Sequence, residues 1–180
     1  MAKDEEAVLV IDDRKKKIKI IGCLIILILV IVLAVFGIVN RNKFKYFGAD
    51  MVLHDYTKSY INLDSKKFCK VIPDEIINKS YENRDKCNEA LKEMFSAVKE
   101  KRQELKGYEL KDKDEVTSEE LDSISFDLNQ NYGISPKSVK KIVRYSLSFK
   151  YKDADGQKDV KVYIAKINKK WYVVDQKVIS

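Results

Sequence analysis

The chain has 180 residues, with 35 lysines and arginines against 28 aspartates and glutamates and a formal net charge of +7. That positive excess is spread out and interleaved with acids, as on solvated faces, and without a basic stripe or a recognisable module it points away from nucleic acid and, more mildly, toward an anionic membrane surface or cell wall. A single histidine and three cysteines, with no His-x-x-His, Cys-x-x-Cys or close carboxylate set, give no metal-ligand spacing, and no glycine-rich phosphate loop or Gly-x-Ser-x-Gly elbow implies a cofactor or a nucleophile.

Residues 1–17 read as a short head ending in a basic run, Arg14, Lys15, Lys16 and Lys17. Residues 18–39 follow, and within them 20–39 carry no charge and are rich in Ile, Leu and Val. At a helical rise of about 1.5 Å per residue such a run crosses the hydrocarbon core of a bilayer, so the expectation is a single transmembrane helix. Basic residues crowd its N-terminal flank, whereas Arg41, Lys43, Lys45 and Lys58 are dispersed beyond it. The positive-inside rule then puts the N-terminus in the cytoplasm and the C-terminal part outside the cell membrane. A cleaved signal peptide fits less well, because the apolar core is too long and only Val35 with Gly37 resembles a cleavage site. Ile20-Ile21-Gly22-Cys23 looks superficially like a lipobox, but nearly all of the apolar core follows Cys23, which reads as a small membrane-buried hydrophobe.

Residues 40–48 form a basic and aromatic juxtamembrane stalk, with Tyr46 and Phe47 suited to the interface. From residue 49 to 180 there is enough chain for one extracytoplasmic domain with its own core. Ala49, Val52, Leu53, Tyr56, Tyr60 and Leu63 mark the apolar stripe of an amphipathic helix, broken at Leu63-Asp64-Ser65. Ser65 is the expected cap of a short helix bearing Phe68, Cys69 and Ile72, and Pro73-Asp74-Glu75 opens another. A long helix is expected over residues 84–105, with Cys87, Leu91, Met94, Phe95, Val98 and Leu105 on one face and Gly107 as its stop. Tyr108 and Leu110 then suggest an edge strand. Thr117-Ser118-Glu119-Glu120 is a capping box for a helix carrying Leu121, Ile124 and Leu128, and Gly133 ends it.

After residue 139 the period changes from 3.6 to 2. Val143, Tyr145, Leu147, Phe149 and Tyr151 alternate with polar residues, as in a strand with one buried face. Asp153-Ala154-Asp155-Gly156 is a hairpin turn; Val160, Val162 and Ile164 form a second strand, and Asn168-Lys169-Lys170 leads into a third at Trp171. The fold class is therefore α+β, with helices on one face of a curved antiparallel sheet. Trp171 is expected to be largely buried against the long helix near Leu91 and Phe95.

The Leu-Asp-Ser-Lys-Lys-Phe break at 63–68, the Tyr-Gly-Ile element at 132–134 and the terminal Ile-Asn-Lys-Lys-Trp-Tyr-Val-Val-Asp at 167–175 together resemble a nuclear transport factor 2-like (cystatin-like) domain over residues 49–177. That resemblance implies a cone-shaped cavity, which Tyr56, Tyr60, Tyr145 and Trp171 would line; core packing is the alternative role for the same aromatics. In layout the chain is also similar to bitopic assembly factors of conjugation and type IV secretion machines. Fold alone does not give function.

Cys69 and Cys87 both fall on buried positions outside the expected membrane span. A bridge between them would clamp the intervening helices and, for a loop of this length, contribute about 3 kcal/mol by chain entropy; buried free thiols are the other reading. His54 lies on the polar side of the first helix and is expected to be a surface residue without a chemical role. With no catalytic constellation, the leading functional expectation is a non-catalytic, membrane-tethered extracytoplasmic binding or scaffolding module with a protein partner, in an envelope or secretion assembly. The alternative is a small-molecule-binding or cofactor-free isomerase or dehydratase-type pocket. Two further readings are a lipoprotein anchored through Cys23 and a head whose Ala7 to Ile11 segment docks as a strand on a cytoplasmic partner. No motif sets an oligomeric state.

Overall fold

The period-two stretches of the C-terminal third become three long strands, β2 (Val139–Tyr151), β3 (Gln157–Ile167) and β4 (Lys170–Val178), and the charged segment before them supplies β1 (Leu105–Glu115). They form one sheet in the order β1-β2-β3-β4, each neighbour antiparallel. Register shifts interrupt the ladders, at Leu110/Asp112 in β1 and at Tyr163/Ile164 in β3 among others, and such bulges bend and twist a sheet. At the β3–β4 turn Asn168 and Lys169 both adopt left-handed φ, 46° and 73°, the twist that a tight hairpin requires.

The computed structural model describes residues 26–32, 45–153 and 155–179. The chain divides into two units, residues 1–45 and 46–180. In the first, residues 26–32 are helical with exposed Ile, Leu and Val side chains. Most of the expected membrane anchor, together with Cys23 and the head, lies outside the described residues. Among the described residues no helix is long and apolar enough to cross a membrane.

In the second unit, helices α1 (Phe47–Ile61), α2 (Ser65–Lys70), α3 (Asp74–Tyr81) and α4 (Arg84–Glu100) precede the sheet, and α5 (Ser118–Tyr132) lies between β1 and β2. Side-chain oxygens of Asp64, Asn83 and Thr117 accept the backbone N–H groups of Lys67, Lys86 and Glu120, satisfying the exposed donors at three helix starts. Asp64, rather than Ser65, is the cap of α2, because the Ser65 hydroxyl is turned toward Asn88 on α4. Gly133, in left-handed conformation at φ 73°, closes α5 as the sequence suggested.

Three further groups of expectation need correction, the first of them helix bounds. Helix α4 stops at Glu100, not at Gly107: Arg102 takes φ 54° and Gln103 N–H returns to the Val98 carbonyl, which frees Leu105 to enter the core as the first residue of β1. Val98 and Leu105 are seven apart, a spacing that continues a helical stripe equally well. Helix α1 also starts at Phe47, inside the segment read as stalk.

The second correction concerns the layers. Val143, Tyr145, Leu147 and Phe149 of β2, with Val160, Val162 and Ile164 of β3, pack against Ala49, Leu53 and Tyr56 of α1. Ile142, Tyr163 and Ala165 point the other way and are covered by α5 through Leu128, Leu121 and Ile124. Helices therefore cover both faces of the sheet. The polar half of the β2 alternation concealed this, because Arg144 on the α5 side is itself held by Asp114 of β1 and by Glu120 of α5, at 2.5 and 3.0 Å. Those two carboxylates hold the Arg144 guanidinium above its usual range, the Asp114 hydrogen bond contributing most.

Third, Trp171 is half-buried and sits at the start of α1, not against α4. A Cβ added to Gly48 would lie 2.5 Å from Trp171 Cδ1 and 2.6 Å from Nε1, so only glycine lets the helix approach the indole this closely. Alanine is favoured over glycine in an open helix by up to about 1 kcal/mol, so the sign of Gly48→Ala separates seating from propensity. We expect overpacking to win with a net loss of about 1–2 kcal/mol in urea unfolding. A gain in stability would show that the indole is not seated on α1.

Candidate functional site

Helix α1 places Tyr56 and Tyr60 one turn apart on its inner face. Their rings stack at 6.2 Å between centroids, and Phe68 of α2 closes against both at 5.2 and 6.0 Å. Phe95 of α4 and Phe149 of β2 complete the cluster, each within 6.0 Å of Tyr60. Edge-on and tilted ring pairs at these separations are favourable beyond the area they bury. Tyr56 is almost wholly buried and its hydroxyl donates to Gln176 Oε1 of β4; burial, with the neighbouring Tyr60, pushes its phenol well above the ordinary range.

Beside Tyr60 is a cavity of about 70 Å³ bordered by Leu63, Val98, Gln103, Leu105 and Tyr151. Ligand sites for drug-sized molecules run to roughly 300–1,000 Å³, so this space does not admit one. Four residues were expected to line a pocket. The structure brings Tyr56 and Tyr60 together, while Tyr145 and Trp171, though part of the same apolar cluster, have other partners.

Tyr145 is fully buried on β2 and its hydroxyl donates to Asp50 Oδ1 of α1 at 2.8 Å. Lys113 Nζ of β1 reaches both oxygens of the same carboxylate at 3.2 Å. Burial and then the Asp50 hydrogen bond push the Tyr145 phenol far up, so at neutral pH it is a hydrogen-bond donor and not a base. The Tyr145, Asp50 and Lys113 group joins α1, β2 and β1. Asp50 and Lys113 carry no local signal in the sequence: the register of β1 on β2 sets Lys113 opposite Tyr145, and the packing of α1 on the sheet brings Asp50 to both.

His54 is exposed, and its side chain enters no hydrogen bond or ion pair among the described residues. Among those residues no group of three or more His, Cys, Asp or Glu side chains is placed to hold a metal ion.

The thiols of Cys69 and Cys87 meet in a small apolar cluster with Ile77 and Leu91, beneath Phe68, Ile72 and Tyr81. Both are buried and both are free thiols here. Two contacts fix their helices around them: Arg84 Nη1 donates to the Cys69 carbonyl at 2.6 Å, and Ser65 pairs with Asn88, the neighbour of Cys87. Arg84 is tied in turn to Asp74 of α3 at 2.8 Å. Burial pushes the Cys69 thiol up to about 12, and a hydrogen bond with the Cys87 sulfur adds to it. A thiol in that state is a poor nucleophile at neutral pH.

What these geometries define is an α+β domain whose aromatic centre is filled by its own side chains. No protein-family model, no curated protein and no solved structure matches the chain.

Proposed function

We propose that this protein is a membrane-tethered extracytoplasmic module that binds or scaffolds a protein partner through its surface, in an envelope or secretion assembly. The observation that carries this reading is the filled aromatic centre. Tyr56, Tyr60, Phe68, Phe95 and Phe149 occupy the space that a pocket enzyme of the resembled cone-shaped fold would need, leaving about 70 Å³ beside Tyr60. The tether and its orientation rest on the uncharged run at residues 20–39 and the basic cluster before it. The four-strand antiparallel meander with α1 laid across it is in keeping with the resemblance to nuclear transport factor 2-like domains. Under this reading activity resides in exposed side chains and not in a buried reacting group.

Topology is checked by adding protease to intact spheroplasts of a strain carrying a tag at Ala2. The tag should stay protected and membrane-bound while the domain after residue 46 is lost. A protected domain, or a soluble fragment starting near Ile38, would overturn the tethered arrangement.

An oxidising compartment has a consequence for the thiol pair. There Cys69 and Cys87 form an intramolecular bridge: a small disulfide oxidant takes up both thiol protons and two electrons, leaving two reduced thiols of its own. Because both sulfurs are buried, the bridge forms before the cluster closes. Alkylation of the unfolded, unreduced protein followed by mass spectrometry should find both blocked until a reductant is added. Two freely alkylated thiols from protein already shown to face outward would refute the bridge.

A further inference from the structure

The end of the sheet at which α1 begins differs in character from the rest of the domain. Antiparallel pairing brings together there the C-terminal ends of β1 and β3 and the N-terminal ends of β2 and β4. Among the residues it gathers are six lysines, three of them exposed and without an acidic partner among the described residues. Lys140, Lys169 and Lys170 are exposed and make no ion pair among the described residues. Lys166 lies with its ammonium 5.8 Å from the centre of the Trp171 ring, and Lys113 and Lys141 each lie 5.4 Å from that of Tyr46. The acids at this end are Asp50, held by Lys113 at 3.2 Å, Glu115, held by Lys141 at 3.0 Å, Asp114 and Glu120, both held by Arg144, and the exposed Glu119 in the first turn of α5; Asp74 and Glu75 border a concavity shared with Lys170 and Asn168, and Asp74 is paired to Arg84.

Apolar groups accompany these lysines. Phe47 and Met51, one turn apart on α1, are 57% and 54% exposed, and Trp171 is half-buried against Gly48 at the same end. Lysines together with an indole, a phenol ring and exposed apolar side chains are the composition of a surface that settles at the headgroup level of a bilayer, where aromatic rings sit in the interface and ammonium groups meet phosphate. Under the tethered reading the short linker keeps this end within reach of the bilayer. Between Val39, the last residue of the uncharged run, and Phe47 there are seven residues, no more than about 25 Å of fully extended backbone.

We propose that this lysine-rich end of the domain docks onto anionic phospholipid headgroups of the bilayer that holds its anchor, with Trp171 at the contact. The inference rests on the tethered reading above and adds to it a second, electrostatic hold that orients the domain. Exposed lysines beside an anionic surface each add a modest attraction that salt screens within about a Debye length, so the docking is reversible and depends on lipid charge. It leaves the opposite end of the sheet, around the β2–β3 turn, facing away from the bilayer for a partner.

Trp171 is the only tryptophan of the chain and reports the contact directly. The full-length protein is placed in nanodiscs of phosphatidylcholine alone or of phosphatidylcholine with phosphatidylglycerol, each containing a lipid with a nitroxide at the headgroup. Trp171 fluorescence should be quenched in the anionic discs and not in the neutral ones, and high salt should abolish the quenching. The triple variant Lys140→Gln, Lys169→Gln, Lys170→Gln, checked for intact circular dichroism, should lose it, while Lys106→Gln, Lys150→Gln, Lys152→Gln near the other end should keep it. Absence of quenching in anionic discs, or equal quenching in both lipids and in the first triple variant, overturns the proposal. Failure of the chain to stay with the discs after alkaline carbonate overturns the tether instead; sedimentation of that released protein with anionic vesicles, but not neutral ones, would then still support the docking surface, and its absence would sink it.

Discussion

The Asp50 carboxylate is the point on which the domain turns. It sits in the first turn of α1, accepts the hydroxyl of a fully buried tyrosine on β2 and is met by an ammonium from β1, so one helix and two strands converge on two oxygens. A buried phenol without an acceptor, or a half-buried carboxylate without a cation, each costs free energy comparable to a lost hydrogen bond or more. Satisfying both at once fixes where α1 crosses the sheet. From that crossing follow the contact of Gly48 with Trp171 before it and, after it, the stacking of Tyr56 on Tyr60 and the contact of Tyr60 with Phe149. Strand β2 is the common element, pairing with β1 and β3 while burying residues on both faces.

The helix stripe at Ala49, Leu53 and Tyr56, the capping box at Thr117 and the left-handed Gly133 were legible because each depends on residues within a turn or two of one another. The alternation in β2 and β3 was legible for the same reason. What misled the reading were patterns with two physical solutions. Val98 and Leu105 satisfy a helical repeat and also a helix followed by a strand, and only the left-handed turn at Arg102 decides between them. Arg144 looks like the solvent side of a strand until Asp114 and Glu120 are brought to it from distant parts of the chain. Trp171 stands at the head of the last strand, as its sequence context implies, but the helix it meets depends on how α1 crosses the sheet, which no local pattern encodes. Among the aromatic residues, their presence could be read from the sequence and their density could not: that Phe68 and Phe95 close on Tyr60 and fill the centre depends on the packing of α2 and α4.

A domain filled in this way concentrates its options at the surface. Around the thiol pair, Arg84 and the Ser65–Asn88 contact hold α2 and α4 together independently of any bridge. Edge strand β1 is bulged and charged along its length, features that guard an open edge against pairing with another chain. The lysine-bearing end beside α1 and the far end at the β2–β3 turn lie at opposite ends of the sheet, which is the arrangement that the proposed tethered, lipid-docked reading requires.

If Asp50 sets the position of α1, its coupling to Tyr145 should be large. A double-mutant cycle with Tyr145→Phe and Asp50→Ala, followed by urea denaturation of all four proteins, measures that coupling without the separate costs of each truncation. A hydrogen bond to a charged group is worth about 1.5–3 kcal/mol, and a coupling energy in that range is the result expected. Strictly additive losses would show that helix and sheet are held by apolar packing alone and would contradict the place given to Asp50.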